Sequence, residues 1–231
     1  MRYAKIFTCI LAIAIPNYAM AAELVIGTPA TVNAFPFGGT FDANPTTYQQ
    51  VYSSTAFGSD TVAISAISFA LASGTASTGT YSLSLSTTSK TVNGLSSNFA
   101  SNLGSDNTTI FSGTLAGQIV GNSLIFSFSD FNYDPSAGNL LLNVNTSGIP
   151  SGVEFAGMFL SNDLVENDMF SRVHDFGFGF EGGLITTFTL GAVSGVPEPA
   201  TWAMMLLGIA GVGAALRTQR SRKAAEALSP A

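Results

Sequence analysis

Residues 81–86, YSLSLS, alternate a large apolar side chain with a serine at every step. Tyr81, Leu83 and Leu85 therefore share one side of an extended chain, and the serines share the other. The same alternation returns at residues 139–145, where leucines and a valine are interleaved with asparagines. A period of two predicts strands with one buried face.

Other apolar runs in the chain are separated by short turn-rich segments such as SGTASTG and YDPSAGN. Further strands are predicted at residues 61–71, 123–131, 153–160, 175–180 and 184–190. No helix-period segment precedes residue 200. Many short strands joined by such turns predict an all-β fold, an antiparallel, jelly-roll-like β-sandwich. A single-sheet solenoid would need a fixed repeat, and none is present.

The N-terminus has the layout of a secretory signal peptide. Arg2 and Lys5 precede an apolar run at residues 6–15, and Ala19 and Ala21 form a small-x-small cleavage site. The alternative, a retained membrane anchor, is disfavoured because a spanning helix needs about 20 apolar residues. We expect the signal helix at residues 1–21 to be removed. Cys9, the only cysteine, would leave with it, so no disulfide stabilises the mature chain.

The C-terminus combines a proline pair, an apolar stretch and a basic cluster. Val196, Pro197, Glu198 and Pro199 should be extended, since proline restricts its own backbone and that of the preceding residue. Residues 200–216 carry no charge, which is the short end of the range for a transmembrane helix. An interfacial aromatic and a cytoplasmic basic flank accompany this stretch: Trp202, Arg217, Arg220, Arg222 and Lys223.

This order of parts resembles the PEP-CTERM sorting signal of exported proteins in Gram-negative bacteria that make extracellular polysaccharide. The resemblance implies that an exosortase-type protease processes the chain near the proline pair, after a transient stay in the cytoplasmic membrane. A plain single-pass anchor is the alternative. The implied organisation is a signal peptide at 1–21, a β-sandwich body at 22–195, the sorting signal at 196–223 and a short cytoplasmic extension at 224–231. The stretch YQQVYSSTAFG also resembles a body that recurs with this tail, without implying an activity.

The body is strongly acidic once the ends are set aside. From Glu23 to Pro199 the chain has two basic residues, Lys90 and Arg172, against thirteen acidic ones, a net charge of −11. Such a body repels phosphate backbones, so we expect no nucleic-acid partner.

Catalytic motifs are weak in this sequence. Gly177, Gly179 and Gly182 satisfy G-x-G-x-x-G, but no helix-period segment follows them. His174 is the only histidine, so a Ser-His-Asp triad would depend on it alone. We assign His174 a surface or loop-packing role and expect no enzyme activity.

Two binding sites are predicted in the body. The segment SNDLVENDMFSRVHD, residues 161–175, holds Asp163, Glu166 and Asp168, hard oxygen ligands of the kind that calcium accepts. A solvated loop is the alternative interpretation, because the EF-hand spacing is absent. Tyr133 lies before Asp134-Pro135 in a predicted turn, so we expect it to be exposed and able to stack on sugar rings, whereas Tyr81 is expected in the core.

Two functions follow as hypotheses. The first is a non-catalytic cell-surface or extracellular-matrix protein that associates with exopolysaccharide in a biofilm. The second is a secreted glycan-active enzyme, a hydrolase or lyase, on a similar sandwich. Two carboxyl groups about 5–9 Å apart in a cleft would favour the enzyme.

Overall fold

The computed structural model describes residues 21–39, 46–149, 156–162, 169–175, 179–192 and 199–227. The chain divides into two compact units, Met1–Val193 and Ser194–Ala231. The first unit contains the described strands, and the second contains the C-terminal helix. The segment boundaries after residues 21, 195 and 223 stay predictions.

The described strands form two antiparallel sheets, which we call sheet I and sheet II. Sheet I contains β1 (Ala22–Ile26), β2 (Thr31–Asn33), β4 (Val62–Gly74), β7 (Ile119–Val120), β8 (Ser123–Tyr133), β10 (Gly157–Ser161) and β13 (Thr186–Ala192). Sheet II contains β3 (Thr46–Tyr52), β5 (Thr80–Thr88), β6 (Thr108–Gly113), β9 (Asn139–Ser147), β11 (Phe170–His174) and β12 (Gly179–Glu181). The prediction of an all-β antiparallel sandwich is confirmed.

Strand order shows that neighbours in space are often distant in sequence. Sheet II runs β12-β11-β3-β9-β5-β6. Sheet I runs β1-β13-β4-β10-β2, with β8 also paired to β4 and β7 to β8. The first and the last strands of the body, β1 and β13, are therefore neighbours, with Ala22 opposite Leu190.

The alternating stretches that predicted the fold lie side by side within sheet II. Strands β5 and β9 pair so that Leu83 faces Val144 and Leu85 faces Leu142. All four side chains are buried in one core cluster. Tyr81 joins them there, as predicted, and its hydroxyl bonds to that of Ser77.

Aromatic rings fill the space between the two sheets. The ring of Phe37 lies 4.8 Å from that of Phe69 and 5.7 Å from that of Phe126. Tyr52 of sheet II meets Phe188 of sheet I edge-to-face, with ring centroids 5.0 Å apart. Such contacts add to the free energy that burial of apolar area provides. Because the body lacks cysteine, this core is its main source of stability.

Much of the outward side of sheet II is also buried, which the serine and asparagine pattern did not predict, whereas Asn145 and Thr109 on that side are exposed. Residues 89–107, which we call the covering segment, lie over it. Gln49 Nε2 donates to Asn143 Oδ1 at 3.0 Å and to the Phe99 carbonyl at 3.1 Å. Asn102 Nδ2 donates to Gln49 Oε1 at 2.7 Å, and Asn143 Nδ2 donates to Ser84 Oγ at 3.3 Å. These hydrogen bonds satisfy buried polar groups, so a polar face can lie inside the protein.

The chain crosses from sheet II to sheet I at a corner formed by residues 182–185. There the amide of Gln50 replaces a neighbouring strand: its Nε2 donates to the Leu184 carbonyl at 2.9 Å, and its Oε1 accepts from the Leu184 N–H at 2.9 Å. Glycine suits position 183, because a Cβ there would lie 2.4 Å from Gln50 Oε1 and would displace this amide from its hydrogen bonds. The corner is thus fixed by a side chain that mimics a backbone peptide.

Several strands differ from the predictions. The acidic segment at 161–175 was predicted to be a loop, yet its end forms β11, with every residue buried. Asp175, predicted to begin a strand, is a turn residue that follows β11. Strands β1, β2, β3, β6, β7 and β11 were not predicted. They are short or bury polar residues, so period-two alternation is weak in them.

Candidate functional site

The C-terminal tail is the first candidate region. A single helix, α1, covers Pro199–Ala227, which is 29 residues and corresponds to about 44 Å of length. It begins at Pro199, which is favourable because a proline at the first helical position sacrifices no hydrogen bond. Side chains from 205 to 221 are exposed, including Leu206, Leu207 and Ile209 at 66%, 66% and 61%.

Within the described part of the chain, no helix has the length and apolar character required to cross a membrane. The predicted transmembrane helix is therefore not confirmed.

Basic side chains follow the apolar part of the same helix. Arg217 and Arg220 are exposed and three residues apart, and Arg222 and Lys223 follow on the helix backbone. The apolar stretch and the basic cluster thus belong to one continuous element.

The structure describes only some residues of the two predicted processing sites. Val196, Pro197 and Glu198 lie outside the described residues, and Trp202 is on α1. Ala19 also lies outside them, whereas Ala21 directly precedes β1. The residue after the predicted signal cleavage site is therefore the first residue of a paired strand.

A family model described as "PEP-CTERM protein-sorting motif" matches residues 195–222. The chain carries a PEP-CTERM sorting domain. The matched residues coincide with the proline pair, the apolar stretch and most of the basic cluster, so the resemblance seen in the sequence is confirmed. The PEP-CTERM motif implies an exported protein that an exosortase sorts. No curated protein and no solved structure matches the chain.

The PEP-CTERM match begins at residue 195 and does not include the acidic segment of the body. Asp163, Glu166 and Asp168 lie outside the described residues. In the ranges that the structure describes, no three His, Cys, Asp or Glu side chains come together to hold a metal. At the start of the segment, Ser161 Oγ and Asn162 Oδ1 are buried without a hydrogen-bond partner. Calcium binding stays a prediction.

Tyr133 is not a surface residue, and the prediction of an exposed stacking tyrosine is wrong. Its side chain is 0% exposed at the end of β8, and its hydroxyl donates to the Gly138 carbonyl at 2.7 Å. Its ring meets Phe57 edge-to-face at 5.0 Å. Burial raises the pKa of Tyr133. The signal missed in the sequence is the spacing of Phe131 and Tyr133, which continues the inward side of β8.

His174 and Arg172 lie on β11, not on a loop. Both side chains are buried, opposite Tyr48 and Gln50 of β3 respectively. The His174 ring packs against Phe35, with ring centroids 5.4 Å apart. The expected surface or loop position of His174 is wrong, although its role in packing agrees with the structure.

Three described carboxylates hold turns together. Both oxygens of Asp106 accept from the Thr87 N–H, at 2.8 and 3.0 Å. Asp134 Oδ1 accepts from the N–H of Ser136 at 2.9 Å, and Asp175 accepts from the Thr47 N–H. The hydrogen bonds from Ser136 lower the pKa of Asp134. These acids organise loops through bonds to backbone amides.

The G-x-G-x-x-G match has a structural explanation. Gly179 begins β12, Gly182 lies at the corner with φ +93°, and the next element is strand β13. A phosphate-binding turn of this type leads into a helix N-terminus. Gly182 thus lies where the chain changes sheets, and Gly177 lies outside the described residues.

Proposed function

We propose that this protein is a non-catalytic component of the cell surface or extracellular matrix that associates with exopolysaccharide in a biofilm. The PEP-CTERM domain is the observation that carries the proposal, because it implies an exported protein. The acidic charge supports it, since the net charge of −11 over residues 23–199 disfavours nucleic acid and leaves neutral glycans and cations as partners.

The described polar groups of the body support a non-catalytic role. Gln50 and Thr186 bond to each other and to the backbone at the corner, and Gln49 and Asn102 fasten the covering segment. Asp106 and Asp134 are bound to turns. Groups engaged in this way contribute to the fold, whereas a catalytic site presents its groups to a substrate.

The precursor would be held in the cytoplasmic membrane by residues 200–216, with Arg217 and the following basic residues inside the cell. The exosortase would then process the chain near Pro197-Glu198-Pro199. Replacing Pro197 and Pro199 with alanine should leave the unprocessed precursor in the membrane fraction. Intact-mass measurement of the secreted and membrane fractions would show this, and normal processing of the variant would contradict it.

Co-sedimentation with the exopolysaccharide of the producing bacterium tests the body's role. The processed protein is mixed with that polysaccharide in calcium and, separately, in a chelator. Recovery in the pellet supports the proposal, and loss on chelation would assign calcium a part in binding. A protein that stays in the supernatant under both conditions contradicts it. Release of new reducing or unsaturated ends would instead support the glycan-active enzyme.

A further inference from the structure

The outward side of sheet I differs from that of sheet II, because within the described part of the body no segment lies over it. Strand registers place Thr187 of β13 between Val25 of β1 and Ser68 of β4, and Thr189 opposite Ala66. On β8, Ile125 lies opposite Ser68 and Ser127 lies opposite Ala66, so they continue the first and the second row. We call these seven residues the open face: Val25, Ala66, Ser68, Ile125, Ser127, Thr187 and Thr189.

The residues between them confirm the direction in which the open face points. Phe188 lies between Thr187 and Thr189 and is fully buried, as are Ile67 and Phe69 on either side of Ser68. Side chains alternate along a strand, so the seven residues point away from the core. Val25 is 56% exposed, which is large for an apolar side chain in a strand.

The hydroxyl groups of the open face are available to a ligand. Among the described residues, Ser68, Ser127, Thr187 and Thr189 make no side-chain hydrogen bond within the protein. On sheet II the corresponding groups are engaged: Ser84 accepts from Asn143 and Ser86 from the Gly104 N–H. Each hydroxyl can donate one hydrogen bond and accept others.

The arrangement of these hydroxyls is regular. Neighbouring strands are about 4.8 Å apart, and residues two positions apart along a strand are about 6.8 Å apart. Four strands therefore present two parallel rows, each about 14 Å long. A regular, extended polymer can meet such rows with repeating groups.

The charge of the protein and the polarity of the open face indicate which kind of molecule binds there. Glu23, opposite Thr189, places a negative charge beside the open face, and residues 23–199 carry a net charge of −11. An anionic polymer would be repelled, and a cationic one would find acidic groups elsewhere on the body. A second copy of the chain is disfavoured because the cores of homodimer interfaces are mostly apolar, whereas this surface carries four hydroxyls. A neutral glycan offers both hydroxyls and C–H groups, which match the hydroxyls and the small apolar side chains.

We infer that the open face is a binding surface for a neutral stretch of polysaccharide lying along the rows of sheet I. This inference rests on the proposed association with exopolysaccharide and names the surface that performs it. Affinity would come from many weak contacts, each hydroxyl adding a hydrogen bond and Val25, Ala66 and Ile125 excluding water.

The test uses residues 22–231, kept soluble by a mild non-ionic detergent, and the exopolysaccharide of the producing bacterium. Thr187→Glu and Thr187→Lys place a long side chain of either charge in the middle of the open face. Thr109→Glu and Thr109→Lys are matched controls, because Thr109 is an exposed strand residue of sheet II. The double variant T187V/T189V removes two hydroxyls while keeping branched side chains suited to strands. Circular dichroism and thermal unfolding show that each variant is folded.

We expect both Thr187 variants to weaken binding on the order of tenfold, and both Thr109 variants to bind within about twofold of the unchanged chain. The T187V/T189V variant should weaken binding about threefold, since the hydrogen bonds are lost without a steric block. Equal losses for Glu and Lys indicate a neutral ligand.

Three results would overturn the inference while leaving the proposed function intact. In the first, the Thr187 variants bind as well as the unchanged chain. In the second, Thr187→Lys binds more tightly and Thr187→Glu less, which would show an anionic ligand. In the third, sedimentation equilibrium shows that the unchanged chain is a dimer and that Thr187→Lys makes it monomeric, while glycan binding is unchanged. This result would show that a second copy of the chain covers the face. If the unchanged chain does not bind, the proposed function itself falls.

Discussion

The outer faces of the two sheets carry similar small polar residues, but they differ in whether another segment of the chain covers them. Sheet II presents Gln49, Ser84, Ser86 and Asn143 on its outer side, and all are buried beneath the covering segment. Sheet I presents Ser68, Thr187 and Thr189, whose hydroxyls stay unbonded. Small polar side chains therefore do not by themselves mark a surface; what decides is whether another part of the chain supplies their hydrogen bonds.

The longer amides explain the difference. Gln49 and Asn143 reach beyond their own strands and carry both donors and acceptors, so they can hold the covering segment. Serine and threonine are too short to do so without a partner that approaches closely. The predictions below test this contrast between the covered and the open face.

The largest effect is expected for Gln49→Ala, which removes the centre of the covered network. Asn102 and Asn143 would each keep a buried polar group without a partner, at a combined cost of about 3 kcal/mol in the free energy of unfolding. Urea unfolding of the body measures this. The control is Thr187→Val on the open face, for which we expect less than about 0.5 kcal/mol. Equal effects at the two positions would contradict the contrast.

Asn102→Ala should cost about 2 kcal/mol, because its amide bonds to Gln49, to the Ser96 carbonyl and to the Ser96 N–H. The effect should be local. Amide hydrogen exchange in residues 89–107 should accelerate, while exchange in β5 and β9 stays slow. Uniform acceleration over the whole body would show that the covering segment does not open as a unit.

Tyr133→Phe should cost about 1 kcal/mol near neutral pH, since it removes the hydrogen bond to Gly138 and keeps the ring. Burial raises the pKa of Tyr133, so the folded state favours the neutral phenol. This contribution is present below the ordinary tyrosine pKa of about 10 and is lost as the pH rises above it. The melting temperature should therefore fall less steeply between pH 8 and 11 for the variant than for the unchanged body. Parallel curves would contradict this.

The smallest effect concerns Asp134, in the turn that joins β8 of sheet I to β9 of sheet II. Hydrogen bonds from Ser136 lower its pKa, so it stabilises the fold above the ordinary Asp pKa of about 3.9, and that stability is lost as the pH falls through the lowered value. Asp134→Asn should reduce the decline in melting temperature below about pH 4. A variant that declines as steeply as the unchanged chain would show that Asp134 contributes nothing.

Local pattern predicted the parts of the molecule whose physics is local. Alternation in residues 81–86 and 139–145 placed Leu83 and Val144 in the core, because side chains on a strand point alternately to its two faces. The order of proline pair, uncharged stretch and basic cluster was enough to recognise the sorting domain, since each part acts through its own composition. The body's two binding predictions had no such basis: Tyr133 was misplaced, and the acidic segment is untested.

The sequence by itself determined the β-class of the body, its negative charge, its lack of cysteine and the sorting signal, because composition and short-range periodicity carry these properties. Only the tertiary structure decided which polar face is buried, that His174 lies in a buried strand, and that Gln50 fixes the corner. Those outcomes depend on partners that are far away in sequence, such as Asn102 for Gln49 and Leu184 for Gln50. A hydrogen bond requires two groups, and the local sequence pattern around one of them does not identify its distant partner.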